Sequence, residues 1–250
     1  MRANRLREMW AAGRKANNCF LGIPSSISAE TIAHQGWDSV TIDMQHAAVD
    51  DAMAYQMLVA VSTTDTVPTV RVPWNDPGVI MRVLDYGAYG VMCPTIDTAE
   101  DCARFVGAVR YAPAGYRSVG PFRASLYAGR DYLAKSNETV LAIAQIETKP
   151  GLENVEAIAQ VPGLDMLYIG PSDLGLALGR GAMPDQTDPI VVDAIDRILA
   201  AAHKAGVRAG IYCASVDYSL AMMKKGFDLV TVANDRQLLA QGAALLAKMK

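Results

Sequence analysis

Several signatures that mark common protein classes are missing from this sequence. Its four cysteines include no C-x-x-C pair, which favours free thiols in a reducing compartment. It contains neither a G-x-G-x-x-G fingerprint nor a Walker motif, so nothing in it indicates a nucleotide-binding open sheet. No stretch is apolar for long enough to cross a bilayer, and the charged N-terminus lacks the apolar core of a signal peptide. These absences favour a cytoplasmic protein.

Blocks of basic residues are absent as well. The formal net charge is -3, so neither nucleic acid nor an anionic membrane surface is an expected partner. The rest of the composition is ordinary for a globular protein, with 51% apolar and 20% charged residues and enough length for a sizeable core. We therefore expect a single domain over residues 1–250 that acts on small molecules.

Short apolar runs rich in β-formers recur along the chain. They are continuously apolar rather than alternating, as is typical of parallel strands covered on both faces. Eight such runs are present: Cys19–Ile23, Ser39–Asp43, Pro68–Val72, Gly90–Cys93, Leu141–Glu147, Met166–Gly170, Arg208–Cys213 and Asp228–Val232.

Helical patterns fill the gaps between these runs. They cover Ser28–Gln35, Asp50–Ser62, Asp76–Asp85, Thr98–Arg110, Pro150–Gln160, Pro189–Ala205, Val216–Lys225 and Arg236–Lys250. Eight strand–helix units in 250 residues predict a (β/α)8 TIM barrel, preceded by an N-terminal helix, rather than a doubly wound open sheet. One long irregular stretch, Tyr111–Asn137, interrupts the alternation, and its length, arginines and aromatic residues favour a functional loop.

Polar residues stand where the predicted strands end, which is the face on which barrel enzymes build their active sites. They are Asp43, Gln45 and His46 after the second strand, Arg71 in the third, Glu147 in the fifth and Asp173 after the sixth. Each alone could be structural, for example as a helix cap. Four strand ends that converge on one rim favour a site.

The residue types at this rim indicate carbanion chemistry beside a carbonyl. Two carboxylates, Glu147 and Asp173, resemble a site for Mg²⁺ or Mn²⁺, which prefer oxygen ligands. A 2-oxo acid would chelate such a metal, and Arg71 would counter its carboxylate or a developing enolate. His46 would move protons near neutral pH. Lys149 lies beyond its strand, so an imine-forming mechanism is disfavoured.

Long ordered segments carry a resemblance to a known family. The chain resembles the HpcH/HpaI metal-dependent class II aldolases, the 4-hydroxy-2-oxoheptanedioate aldolase and hydroxy-ketoacid aldolase group. The matching segments are "IDMQHA", "VRVPWNDPGVIMRVLDYGAYGVMCP", "RYAPAGYRSVG", "QIETKPGLEN" and "YIGPSDLGLALG". The resemblance extends over nearly the whole chain.

The resemblance implies a role for each rim residue. Glu147 and Asp173 would bind Mg²⁺ or Mn²⁺, Arg71 would bind pyruvate and stabilise its enolate, and His46 would be the acid/base. Asp85, in "VLDYGA", would be the partner carboxylate of His46, although its position alone reads as an ordinary helix end. The lining of the pocket would come from Asp43, Gln45, Gly170, Pro171 and Ser172.

One residue departs from the commoner pattern of the family. Many members resemble "DGEHA" or "DCEHA", whereas this chain has "DMQHA" with Gln45. An amide adds no negative charge but can still hold a metal-bound water, so metal affinity and metal preference would differ. We do not interpret Gln45 as a loss of activity.

The expected reaction is reversible cleavage of a 4-hydroxy-2-oxo acid to pyruvate, or a close analogue, and an aldehyde. The aldehyde would be selected by Tyr111–Asn137 together with a neighbouring subunit, since the resemblance implies a homohexamer with exchanged C-terminal helices. Two alternatives stay open at this point. One is an acyl-CoA lyase of the citrate-lyase β-subunit kind, and the other is a barrel that binds a keto acid without turnover.

Overall fold

Eight parallel strands form a closed barrel in the computed structural model, which describes residues 1–243. Each strand pairs with the next along the chain, and β1 pairs with β8 to close the sheet. The strands β1 to β8 are Ala16–Leu21, Ser39–Asp43, Val67–Arg71, Gly90–Cys93, Leu141–Ile146, Met166–Ile169, Arg208–Tyr212 and Leu229–Asn234. The predicted (β/α)8 barrel is confirmed.

Helices surround the barrel and begin at the residues that the sequence favours. Asp76 caps the helix that starts at Pro77, and Gly206 ends the longest helix with a φ of 74°. The helices α1 to α13 are Arg5–Ala11, Ser26–Ala33, Asp51–Val61, Pro77–Asp85, Ala99–Val109, Ala124–Ala128, Tyr132–Thr139, Lys149–Glu153, Val155–Ala159, Pro171–Ala177, Pro189–Ala205, Val216–Lys225 and Asp235–Gly242. Within residues 1–243, none of them combines the length and apolarity needed to cross a membrane.

The structure differs from the sequence-based assignment in four main places. No predicted helix covers α10, Pro171–Ala177. The first strand begins at Ala16 because the amide of Asn18 is buried in the barrel, where it has hydrogen-bond partners. The helix predicted over Pro150–Gln160 is two short helices, α8 and α9, which meet at Asn154. The stretch Tyr111–Asn137 is not wholly irregular, because α6 and most of α7 lie within it. The predicted exchange of the C-terminal helix, Arg236–Lys250, stays a prediction; residues 244–250 of that helix lie outside the described residues.

A polar layer crosses the interior of the barrel below the predicted site. Thr41 and Thr69 lie on neighbouring strands, and their hydroxyl oxygens are 2.7 Å apart. Asn18 donates to Thr231 at 2.9 Å, and the Tyr168 hydroxyl lies 2.6 Å from the same threonine oxygen. All five side chains are buried and hydrogen-bonded, so their burial carries no cost of an unpaired polar group. This layer forms a fixed floor for the residues above it.

The two ends of the barrel have different roles. The helix α1 covers the end at which the strands begin, where Leu6, Met9 and Trp10 are buried. The Trp10 indole donates to the carbonyl of Asp228, just before β8, at 3.0 Å. Since parallel strands all point away from this end, their last residues meet at the opposite, open end.

Candidate active site

An arginine and an aspartate lie side by side at the open end of the barrel. The register of β2 and β3 pairs Asp43 with Arg71. The Arg71 guanidinium donates from Nε and Nη2 to the two carboxylate oxygens of Asp43, at 2.9 and 2.7 Å, and it lies over the ring of Phe20. This two-point contact fixes the orientation of the guanidinium. Within residues 1–243, Nη1 has no partner and can receive a ligand.

The Glu147 carboxylate is held from both sides. Its Oε1 accepts hydrogen bonds from the backbone N–H and the hydroxyl of Thr95, at 3.0 and 3.3 Å. Its Oε2 accepts one from the amide of Gln145, two residues earlier on the same face of the chain. Gly170 gives the carboxylate room, because a Cβ at that position would lie 2.5 Å from Oε2. Glu147 is therefore fixed before any ligand binds.

Two carboxylates share one cavity of about 260 Å³ with an amide and an imidazole. The cavity is lined by Glu147, Asp173, Gln45 and His46, among others. Burial raises the pKa of the Glu147 carboxyl, and the charge of Asp173 raises it as well, although the Gln145 hydrogen bond opposes both. A cation between these groups would relieve both unfavourable effects.

The donor set fits a hard divalent cation. Glu147 and Asp173 supply carboxylate oxygens, and the Gln45 Oε1 atom is buried without a hydrogen-bond partner in residues 1–243. The described residues contain no cluster of three or more histidine, cysteine, aspartate or glutamate side chains suited to a metal. Carboxylate and amide oxygens favour Mg²⁺ or Mn²⁺ over Zn²⁺, which more often takes sulfur and nitrogen ligands. Water and substrate would complete such a coordination shell.

We refer to the adjoining cavity of the open end, of about 200 Å³, as the main pocket, because most of the predicted site residues line it. It holds Arg71 and Asp43 at its base, and the N-terminal residues Pro171, Ser172 and Asp173 of α10 form part of its wall. His46 and Asp173 line both cavities and so lie at their junction. The backbone N–H groups of Gln45 and His46 point at Asp43 Oδ1, which ties the histidine loop to the arginine pair.

Comparison with known proteins agrees with this geometry. The sequence profile of the HpcH/HpaI aldolase/citrate lyase family matches residues 17–242. The chain belongs to this family. The hydroxypyruvate/pyruvate aldolase of Rhizorhabdus wittichii is 40% identical over 96% of both chains. The 4-hydroxy-2-oxo-heptane-1,7-dioate aldolase of Klebsiella pneumoniae is 36% identical over 98% of this chain and 92% of its own. These relatives identify the chain as a carbon–carbon lyase of the class II aldolase type.

A solved structure of the same family shares the fold. The HpcH/HpaI aldolase/citrate lyase family protein from Burkholderia cenocepacia superposes with a TM-score of 0.86 at 35% identity. The match covers 94% of this chain and 95% of that one. The predicted family resemblance is therefore confirmed at the level of sequence and of fold.

All but one of the site residues predicted from the family motifs lie at the open end. Asp43, Arg71, Gly170, Pro171 and Ser172 line the main pocket. The residues Gln45 and Glu147 line the adjoining cavity of about 260 Å³, and His46 and Asp173 line both. Lys149 lines neither cavity; it is exposed on α8, where its ammonium group lies 3.9 Å from the Glu153 carboxylate.

Asp85 is the exception within one chain. It is the last residue of α4, a helix that runs back from the open end, so Asp85 lies near the end at which β4 begins. There its carboxylate accepts a hydrogen bond from the buried Arg117 at 2.7 Å. The Arg117 guanidinium stacks on Tyr111 and donates to the hydroxyl of Tyr132. Among residues 1–243, no hydrogen bond joins Asp85 to His46. Arg117, Tyr111 and Tyr132 come from the stretch Tyr111–Asn137, and Arg117 contacts both tyrosines and Asp85 far from the open end.

Two residues that support Glu147 are not among the predicted site residues. Gln145 stands two residues before Glu147 in β5, so the two-residue period of a strand directs both side chains inward. That spacing is a signal that the sequence does contain. Thr95 follows β4 and has a φ of 55°. Threonine rarely adopts this left-handed conformation, so the sequence does not predict it.

Replacing Gly170 by alanine should weaken metal binding by about 10–100-fold, the usual cost of disturbing a residue that supports a ligand. The added Cβ would approach Glu147 Oε2 to 2.5 Å and would displace the carboxylate. Titration with Mn²⁺, followed by electron paramagnetic resonance, measures the effect. Gly181→Ala is the matched control, because its Cβ would meet only Met183 at 3.8 Å. Equal Mn²⁺ affinities in both variants would contradict the assigned position of the metal.

Proposed function

We propose that this enzyme reversibly cleaves a 4-hydroxy-2-oxo acid to an aldehyde and pyruvate, or a close analogue such as hydroxypyruvate. The observation that supports it most is the fixed Arg71 guanidinium, which shares one open end with the carboxylates Glu147 and Asp173. The names of the two curated relatives agree with a 2-oxo acid as one substrate.

Glu147, Asp173 and the buried amide oxygen of Gln45 would hold Mg²⁺ or Mn²⁺, directly or through water. When bound, the metal would polarise the 2-oxo group and counter the negative charge that develops on its oxygen. Gln45 adds no charge of its own, so metal affinity is expected to be lower than with glutamate at this position.

The chain's own residues would bind the 2-oxo acid and move the proton. The Nη1 edge of Arg71 would donate to the carboxylate and to the enolate oxygen, since a guanidinium fork matches two oxygens at once. The backbone at Gly170–Ser172 would line the other side. In cleavage, the proton of the C4 hydroxyl leaves toward His46 while the C3–C4 bond breaks. The electron pair of that bond becomes the enolate, which is later protonated at C3.

Release of pyruvate tests this proposal. Synthetic 4-hydroxy-2-oxo acids with different C4 substituents should release pyruvate at rates that depend on added Mg²⁺ or Mn²⁺. A reductase coupled to pyruvate measures the rate. If no member of the series is cleaved while an acyl-CoA thioester of a 3-hydroxy acid is, the lyase acts on thioesters instead.

We also propose that the enzyme is a cytoplasmic homohexamer of single-domain subunits, and that Asp85 serves His46 across a subunit boundary. Asp85 lies at the opposite end of the barrel from His46, so only the Asp85 of a neighbouring subunit could contact that histidine. The exposed apolar residues Val119, Phe122 and Leu126 of the same end support an interface there.

Mixed assemblies test this sharing of the site. His46→Ala should lower the cleavage rate by about 10²–10⁴-fold, the usual scale for a positioned acid/base, and Asp85→Asn should also be slow. When both variants are co-expressed, about a quarter of shared sites would contain an intact His46 and an intact Asp85. Activity well above that of either variant alone is therefore expected. If the mixture is no more active than its components, Asp85 acts only within its own chain.

A further inference from the structure

A second arginine, Arg236, lines the main pocket at its mouth. It belongs to the first turn of α13, directly after β8, and its side chain is exposed. Within residues 1–243, no carboxylate lies within ion-pairing distance of its guanidinium, and its side chain donates no hydrogen bond. The remaining residues, 244–250, contain no aspartate or glutamate. Its charge is thus not neutralised by an acidic side chain of the described structure.

The backbone of Arg236 is nevertheless firmly held. The preceding residue, Asp235, is buried, and its carboxylate accepts hydrogen bonds from the backbone N–H groups of Gly22, Ile23 and Arg236 at 2.9–3.0 Å. These bonds fasten the start of α13 to the loop after β1. The base of the Arg236 side chain is therefore fixed at the rim while its guanidinium remains available.

Arg236 lies on the side of the pocket that holds His46. A Cβ added at Gly22 would lie 3.4 Å from Arg236 Nε and 3.6 Å from the Cβ of Ala47, the residue next to His46. The guanidinium, the glycine and the histidine loop are therefore close neighbours. A substrate whose aldehyde oxygen is near His46 would extend its substituent toward Arg236.

The charges of the pocket separate into two regions. At the base, Arg71 is paired with Asp43, and Asp173 would serve the metal. Arg236 lies at the mouth. Apart from Arg71, it is the only arginine or lysine among the described residues that line this pocket. A substrate with its 2-oxo acid at the base would meet a second positive charge at its other end.

We infer that Arg236 binds an anionic group on the aldehyde half of the substrate and so makes the enzyme select aldehydes that carry a carboxylate. This inference rests on the proposed aldolase function, whose pyruvate half is bound at Arg71. A charge-assisted hydrogen bond at a partly solvated rim corresponds to about a tenfold gain in kcat/KM.

The test compares two aldehydes of similar size as partners for pyruvate. These are 4-oxobutanoate, which carries a carboxylate, and butanal, which carries a methyl group in its place. The wild-type enzyme should use 4-oxobutanoate about tenfold better in kcat/KM, and this preference should weaken as salt is added. Arg236→Gln should reduce the preference to about one, and Arg236→Lys should retain part of it because lysine keeps the charge. Arg130→Gln, at an exposed arginine of the opposite end, is the control and should keep the full preference.

Two results would overturn the inference while leaving the aldolase function intact. One is a wild-type enzyme that condenses both aldehydes with pyruvate equally well. The other is an Arg236→Gln variant that keeps the full preference for 4-oxobutanoate. Failure of the wild-type enzyme to exchange the C3 protons of pyruvate in the presence of Mg²⁺ or Mn²⁺ would instead overturn the aldolase function itself, and this inference with it.

Discussion

Glu147→Gln is expected to abolish Mn²⁺ binding at micromolar metal and to reduce aldol cleavage by about 10³-fold or more. The substitution removes one of the two carboxylates, and a metal acting as a Lewis acid contributes several kcal/mol to the stabilisation of developing charge. Electron paramagnetic resonance of added Mn²⁺ and pyruvate release from a 4-hydroxy-2-oxo acid measure the two effects.

This substitution should not destabilise the fold. Burial makes the ionised Glu147 unfavourable in the metal-free protein, so a neutral amide should leave its thermal midpoint unchanged or higher. Gln145 can turn to accept from the new amide, because its Oε1 has no partner in residues 1–243. Glu138→Gln, at an exposed position of α7, is the matched control and should keep full activity. Full activity of the wild-type enzyme after exhaustive chelation would refute the metal mechanism.

Arg71→Lys is expected to slow proton exchange at C3 of pyruvate by about 10²–10³-fold, the usual cost of losing one donor to a developing oxyanion. The same substitution should weaken pyruvate binding much less. Arginine reaches both oxygens of Asp43 and still presents its Nη1 edge, whereas lysine has one ammonium group for both tasks. Only contacts that strengthen in the transition state raise the rate, so the two losses should differ.

The experiment measures both the C3 proton-exchange rate and the affinity for pyruvate in the wild type and in Arg71→Lys, and compares the two losses. Arg82→Lys is the control, because Arg82 also pairs with an aspartate, Asp51 at 2.7 Å, but on the outside of the barrel. That variant should match the wild type in both quantities. Equal losses of rate and affinity in Arg71→Lys would make Arg71 a binding residue only.

The barrel could be predicted because its strands and helices carry separate local signals. Continuous apolar runs such as Gly90–Cys93 keep their strand assignment, and the caps and prolines of α4 and α11 give their first residues. The start of β1 could not be predicted in the same way. Asn18 is polar in sequence and buried in the fold, and only its contacts with strands far along the chain explain this.

The candidate site also contains residues that the sequence predicts and residues that only the fold brings into place. His46, Arg71, Glu147 and Asp173 lie at strand ends or shortly after them. Since the barrel brings strand ends together, sequence order was enough to group them. Thr95 depends on a left-handed backbone conformation, and Arg236 depends on the contact between the loop after β1 and the start of α13. Neither the conformation of Thr95 nor this contact can be predicted from the local sequence.

Deuterium exchange at C3 of pyruvate is the most direct test of the central claim, that this open end forms the enolate of a 2-oxo acid. The wild-type enzyme, incubated with pyruvate in D₂O and without any aldehyde, should replace the C3 protons when Mg²⁺ or Mn²⁺ is present. Exchange should stop after chelation and return when the metal is restored. Proton magnetic resonance follows the loss of the methyl signal. An enzyme that leaves this signal unchanged at saturating metal and pyruvate would contradict the claim.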